Sequence, residues 1–239
     1  MILYYENVVK DGKMDTLKLR YGPVALVTGA SSGIGSAFAE ELAARGFGLV
    51  LVARRGDRLE KIKKDLEHRF GVTALIIVQD LTAPRAARRI RETVQKSGWE
   101  ISLLINNAGY GLPGAFAETR WEDQARFLQV LLHAPTELAH RVLPGMVDRR
   151  FGRIVNVASL AGLIPGGAGH TLYGAVKSYL VRFSQSLHLE NQQTGVHVTA
   201  LCPGFTWSEF HDVNGTRDQI TQSTPDWLWL GADEVAATK

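Results

Sequence analysis

Six short runs along this chain are apolar at almost every position: "VALVTGA" from residue 24, "GLVLVAR" from 48, "TALIIVQD" from 73, "ISLLINNAG" from 101, "RIVNVAS" from 153 and "HVTALCPG" from 197. A strand with one wet face alternates apolar and polar residues. These do not, which predicts strands covered on both faces. Between them lie longer segments with helical spacing: "SAFAEELAARG", "RLEKIKKDLEHRFG", "APRAARRIRETVQKSG", "WEDQARFLQVLLHAPTELAHRVLPGM" and "LYGAVKSYLVRFSQSLHLENQQTG". Several close on a glycine, the residue that ends helices most readily. Strand and helix alternate throughout, so the pattern predicts an α/β fold, a three-layer doubly wound parallel sheet. With no repeat and no low-complexity linker, residues 22–239 read as one domain.

A doubly wound sheet of the Rossmann type binds ligands beyond the carboxyl ends of its strands, which directs attention to the residues that follow each run. "TGASSGIG" (28–35) follows the first strand and opens a helix. Gly29, Gly33 and Gly35 there allow a tight turn, close approach of a pyrophosphate and an anion at a helix N-terminus. After the second strand, an NAD enzyme usually offers a carboxylate to the ribose 2′-hydroxyl. This chain has Ala53, Arg54 and Arg55 instead. Guanidinium groups grip a phosphate with paired hydrogen bonds, so the cofactor expected is NADP(H), with Arg54 the main contact.

Composition narrows the setting. Hydrophobic residues make up 45% and charged residues 21% of 239, ordinary globular usage. The net charge of +3 comes from interleaved signs, as on solvated helix faces, and the basic run "RAARRIRE" has no interleaved aromatics, so no nucleic-acid partner is expected. The single cysteine, Cys202, has no partner for a disulfide and no Cys/His cluster for a metal, which fits a reducing, cytoplasmic setting. No run has the roughly 18 apolar residues of a membrane helix, so no membrane partner is expected. Met14 is a candidate true start, making residues 1–13 an upstream stretch within an N-terminal extension over 1–21.

"LYGAVK" places Tyr173 and Lys177 on one helix face, i and i+4. With "DLT" at 80, "NNAG" at 106, Ser159 in "NVAS" and "CPGFT" at 202, the chain resembles the short-chain dehydrogenase/reductase family, in its short single-domain branch, over roughly residues 22–236. The resemblance implies an oxidoreductase that moves a hydride between NADP(H) and a small-molecule carbonyl or secondary alcohol. A nearby cation lowers the pKa of a phenol, so Lys177 would tune Tyr173 as general acid and base, while Ser159 steadies the substrate oxygen. The family pattern adds that Lys177 holds the nicotinamide ribose. It further implies cofactor contacts from Ser31, Ser32 and Ile34 in the glycine-rich loop and from Asp80 and Leu81 beside the adenine. Asn106, Ala108 and Gly109 would lie along the groove, Pro203, Gly204 and Thr206 over the nicotinamide, and Ser208 toward the pyrophosphate. A homodimer or homotetramer is the expected assembly.

Three features depart from that pattern. The family's catalytic asparagine falls on Leu131, and His133, two positions on, points to another face. This leaves a second reading open, an NADP(H)-binding sensor or scaffold with little turnover. A third, a sugar-nucleotide epimerase or dehydratase, shares the Tyr/Lys pair but calls for a longer chain. The loop "LAGLIPGGAGHTL" is one residue longer than the pattern and should wall the substrate pocket. Residues 206–225 are expected to be a mobile lid, whose Trp207 and Phe210 point to an apolar or ring-bearing substrate or to packing within the lid. "DWLWLGADEVAATK" starts like a helix without the usual closing strand, which reads as truncation or as a different mode of association.

Overall fold

The structure is a computed structural model and describes residues 23–237; the expected extension over 1–21 lies outside them. All six apolar runs are strands: β1 Val24–Thr28, β2 Gly48–Ala53, β3 Ala74–Val78, β4 Ile101–Asn106, β5 Gly152–Val157 and β6 Val196–Leu201. They form one sheet in the order β3-β2-β1-β4-β5-β6, with every pairing parallel. The order reverses at β1 and β4, the topological switch point where such sheets open a crevice.

Both faces are covered, as the unbroken apolar runs require. Successive strand residues point to opposite faces, so Leu26, Val50, Val52 and Leu104 enter one core and Val27, Leu49, Leu51 and Ile105 the other. The first core is closed by α3 (Ala86–Lys96), α4 (Trp121–Leu128), α5 (Ala134–Asp148) and α6 (Thr171–Glu190). The second is closed by α1 (Gly33–Ala44) and α2 (Gly56–Phe70). Helix α2 ends as its sequence predicts: Gly71 takes the left-handed conformation at φ 65° and returns its N–H to the Glu67 carbonyl, at little cost for a residue without Cβ.

Helices α4 and α5 form one continuous run, interrupted by a π turn over Gln129–His133. The segment after β6 carries β7 (Phe205–Trp207), α7 (Phe210–Val213) and α8 (Arg217–Ser223). The expected helix at 226 begins later. Residues Trp229–Gly231 form β8, which pairs in parallel with β7, and Ala232–Ala236 form α9, whose Val235 and Ala236 join the second core. Among the described residues, no helix is long and apolar enough to cross a membrane.

Candidate functional site

Two joined clefts open at the carboxyl end of the sheet. The first, of about 650 Å³, is walled by Gly29, Ser31, Ser32, Gly33, Ile34, Arg54, Arg55, Asp80, Leu81, Ala108 and Gly109. The chain thus gathers four separate strand ends into one groove. The glycine-rich loop is fixed by close approach: Gly29 has φ +67°, and a Cβ there would meet Asn107 Nδ2 at 2.8 Å and Ala108 Cα at 2.9 Å. At Gly35, inside α1, a Cβ would meet the Gly29 carbonyl oxygen at 2.3 Å. Gly35 therefore lets the loop fold onto its own helix rather than lining the groove.

Asn106 does not reach the groove expected for it. It is 5% exposed, and its Nδ2 donates to the Pro135 carbonyl at 3.1 Å and to Asn156 Oδ1 at 2.9 Å, tying β4 to β5 and α5. Strand alternation turns the next residue to the ligand side. Asn107 lines both clefts, takes its N–H to Thr28 Oγ1 at 2.9 Å and donates Nδ2 to the Thr28 carbonyl at 3.0 Å. Burial pushes the Asp80 carboxyl up, but hydrogen bonds from Thr82 and the charges of Arg54 and Arg126 outweigh it and hold the group below its usual value.

The second cleft, of about 620 Å³, contains Ser159, Tyr173, Lys177, Pro203, Gly204, Thr206 and Ser208. The long loop forms one wall through Ile164, Pro165, Gly166 and Gly167, and Phe210 contributes from the lid. Phe210 lies 5.9 Å from the Tyr173 ring, whereas Trp207 stacks on Trp229 of β8 at 4.2 Å, tying the start of the lid to the segment that follows it. Gly162 sets the loop's closeness to α6: a Cβ there would lie 2.6 Å from the Lys177 carbonyl carbon.

Lys177 Nζ donates to the Val157 carbonyl at 2.7 Å and stands 5.6 Å from the Tyr173 ring centre. Burial lowers its pKa to about 8, with Cys202 acting weakly the other way. The phenol behaves differently from the expectation. Burial raises the Tyr173 pKa, and the group opposing that rise is Ser159, not Lys177. The ammonium bonds a carbonyl instead of the phenol, and a half-buried ring loses the water that would stabilise a phenolate.

Leu131 lies in the π turn, 2% exposed, and lines a small internal void with Lys177, Thr28 and Asn106. His133 is exposed and takes no part. Two further residues of the site carry no motif. Glu209 reaches Arg55 and Arg58. His211 lines the second cleft, with its Nδ1 buried and unpartnered among the described residues. Both fall inside the lid expected over 206–225, but the sequence singles out neither, because their surroundings come from long-range folding.

A family model described as short chain dehydrogenase matches residues 23–218. Over 195 residues the chain is 37% identical to hydroxysteroid dehydrogenase-like protein 1 of Gallus gallus, covering 80% of this chain and 58% of that one. Over 188 residues it is 35% identical to the very-long-chain 3-oxoacyl-CoA reductase of Mus musculus, covering 77% and 59%. The chain spans about three fifths of the length of these curated relatives. A short-chain dehydrogenase from Sphingobium yanoikuyae in complex with NADPH superposes with a TM-score of 0.82 at 35% identity, over 90% of this chain and 81% of that one. The bulky-bulky ketone specific alcohol dehydrogenase from Comamonas testosteroni gives 0.77 at 35% identity, over 89% and 79%.

Proposed function

Because the chain belongs to the short chain dehydrogenase family, we propose that it is an NADP(H)-dependent oxidoreductase acting on bulky, mainly apolar ketones or the matching secondary alcohols. The observation that carries this reading is the meeting of Ser159, Tyr173 and Lys177 in one cleft that opens into a glycine-lined groove bearing Arg54 and Arg55. The groove suits a dinucleotide: its loop presents backbone rather than side chains to a ligand, and its arginine end suits a 2′-phosphate.

When bound, the cofactor supplies or accepts the hydride. In reduction, the protonated Tyr173 gives its proton to the substrate oxygen, and its raised pKa keeps it protonated at neutral pH. Ser159 donates to the same oxygen and steadies negative charge as it develops. Lys177 would hold the nicotinamide ribose of a bound cofactor, and it supplies positive charge 5.6 Å from the centre of the phenol ring. Leu160, Ile164, Phe205 and Phe210 give the cleft a large apolar wall beside polar groups such as His211 and Asn214, which suits ring-bearing or long-chain substrates. The NADPH-bound and bulky-ketone-specific neighbours support the same choice.

The test is cofactor oxidation at neutral pH, NADPH beside NADH, against bulky aryl and alicyclic ketones, with Tyr173→Phe as control. NADPH consumption with a bulky ketone, lost by at least about 100-fold in the variant, is the expected result. Tight NADPH binding without turnover on any carbonyl would favour a binding protein silenced at Leu131.

A further inference from the structure

The charged contacts of the lid lead to the adenosine end of the cofactor groove. Glu209, immediately before α7, accepts a hydrogen bond from Arg55 Nη1 at 2.8 Å across 154 residues of sequence, and its other oxygen accepts from Arg58. The rest of the Arg55 guanidinium is held by the glycine-rich loop. Its Nη2 donates to Ser31 Oγ at 3.0 Å and Ser32 Oγ at 2.8 Å, and its Nε donates to Ser31 Oγ at 3.2 Å. Arg54, exposed in the same groove, has no side-chain hydrogen-bond partner among the described residues. Glu209 is thus a carboxylate set among the groups that read as a phosphate site, and it arrives there on the lid.

We propose that Glu209 is a stand-in anion: it holds the place on Arg55 that the 2′-phosphate of NADPH takes, and a 2′-phosphorylated cofactor displaces it and unlatches the lid. The inference rests on the NADP(H) reading above. Carboxylate and phosphate both grip a guanidinium through its in-plane N–H pairs, and two anions sharing one partly exposed arginine repel each other. The phosphate carries nearly twice the charge, so it wins the exchange while Arg54 adds a second contact. Phe210, the next residue, lines both clefts and packs against Tyr173. Releasing Glu209 therefore loosens the segment lying over the reacting tyrosine. NADH lacks the 2′-phosphate and leaves the latch closed, so the two cofactors differ in lid state as well as in affinity.

The probes are adenosine 2′,5′-bisphosphate and 5′-ADP, titrated calorimetrically into wild type, Glu209→Gln and Glu209→Ala, with amide exchange followed over residues 206–217. Wild type should prefer the bisphosphate. Both variants should bind it about two- to fivefold more tightly, the scale of a partly exposed ion pair, with 5′-ADP unchanged. The bisphosphate should speed lid exchange in wild type, and the variants should exchange fast without it. Bisphosphate affinity unchanged or weakened in both variants would overturn the proposal and make Glu209 a support for the arginines. A wild type indifferent to the 2′-phosphate is a separate pattern: it removes the NADP(H) reading and the displaced anion with it.

Discussion

Lys177 carries a measurable consequence of its burial. Its pKa of about 8 lies below the ordinary 10.5, so the side chain is cationic at neutral pH and neutral in mild alkali. We expect kcat/KM for NADPH-dependent reduction to fall as pH rises through about 8, and Lys177→Arg, whose charge is fixed, to lose that break in the profile. Stability moves the opposite way. Between about 8 and 10.5 the unfolded chain holds the proton that the folded chain has released, so raising pH through that window stabilises the fold by this group. A thermal-unfolding series over the same pH values, wild type beside Lys177→Met, checks the sign. At the same scale, "NNAG" shows what sequence leaves open. It marks a strand end facing a ligand, but which of two adjacent asparagines enters the groove depends on the strand's phase: Asn106 binds Asn156, and Asn107 faces the cleft.

Among the elements, the π turn at Gln129–His133 is the instructive one. A π turn widens the helix by one residue and frees backbone groups from the i→i−4 ladder, and such turns recur at functional sites. Here the turn is present although its centre carries leucine where the family pattern has asparagine. We predict that Leu131→Asn raises turnover, because an amide beside the void near Lys177 gives a proton relay a polar member. The same change should cost about 1–3 kcal/mol of stability by placing a polar group in an apolar setting. Turnover with and without added proton-carrying buffer, read with denaturant midpoints, separates the two effects; a folded variant with unchanged turnover would show that proton resupply does not limit the rate. The helix was legible from its spacing, but its π turn was not, since Leu131 fits an ordinary buried helical position equally well. The six strands were legible for a simpler reason: continuous apolar runs have few other places to go in a chain of this size.

For the whole molecule, the cofactor groove draws on β1, β2, β3 and β4 together, so a ligand that fills it binds only the assembled sheet. Saturation at about 100 times Kd is worth roughly 2.7 kcal/mol, which for a domain of this size corresponds to roughly 5–10 °C in Tm. We expect NADPH to give a shift of that order and NADH at the same concentration a smaller one; differential scanning fluorimetry with both nucleotides reads it directly. The remote pairing of Glu209 with Arg55 and Arg58 belongs to this scale as well. Arg55 stands out in the sequence, but Arg58 and Glu209 lie in ordinary-looking stretches, and only the closed topology brings the three together.

The strand order also governs how the chain is made. Strand β1 ends at Thr28, and its second neighbour β4 begins only at Ile101. At roughly 5–20 residues per second of synthesis, the nascent chain holds an apolar strand with one open edge for roughly 4–15 s before that neighbour leaves the ribosome. During that interval Val24, Leu26 and Val27 lack the cover they have in the finished sheet, and no nucleotide can rescue them because the groove does not yet exist. The same central strand that builds the crevice thus waits longest of the six for its second neighbour, with an open edge that invites mispairing in the meantime.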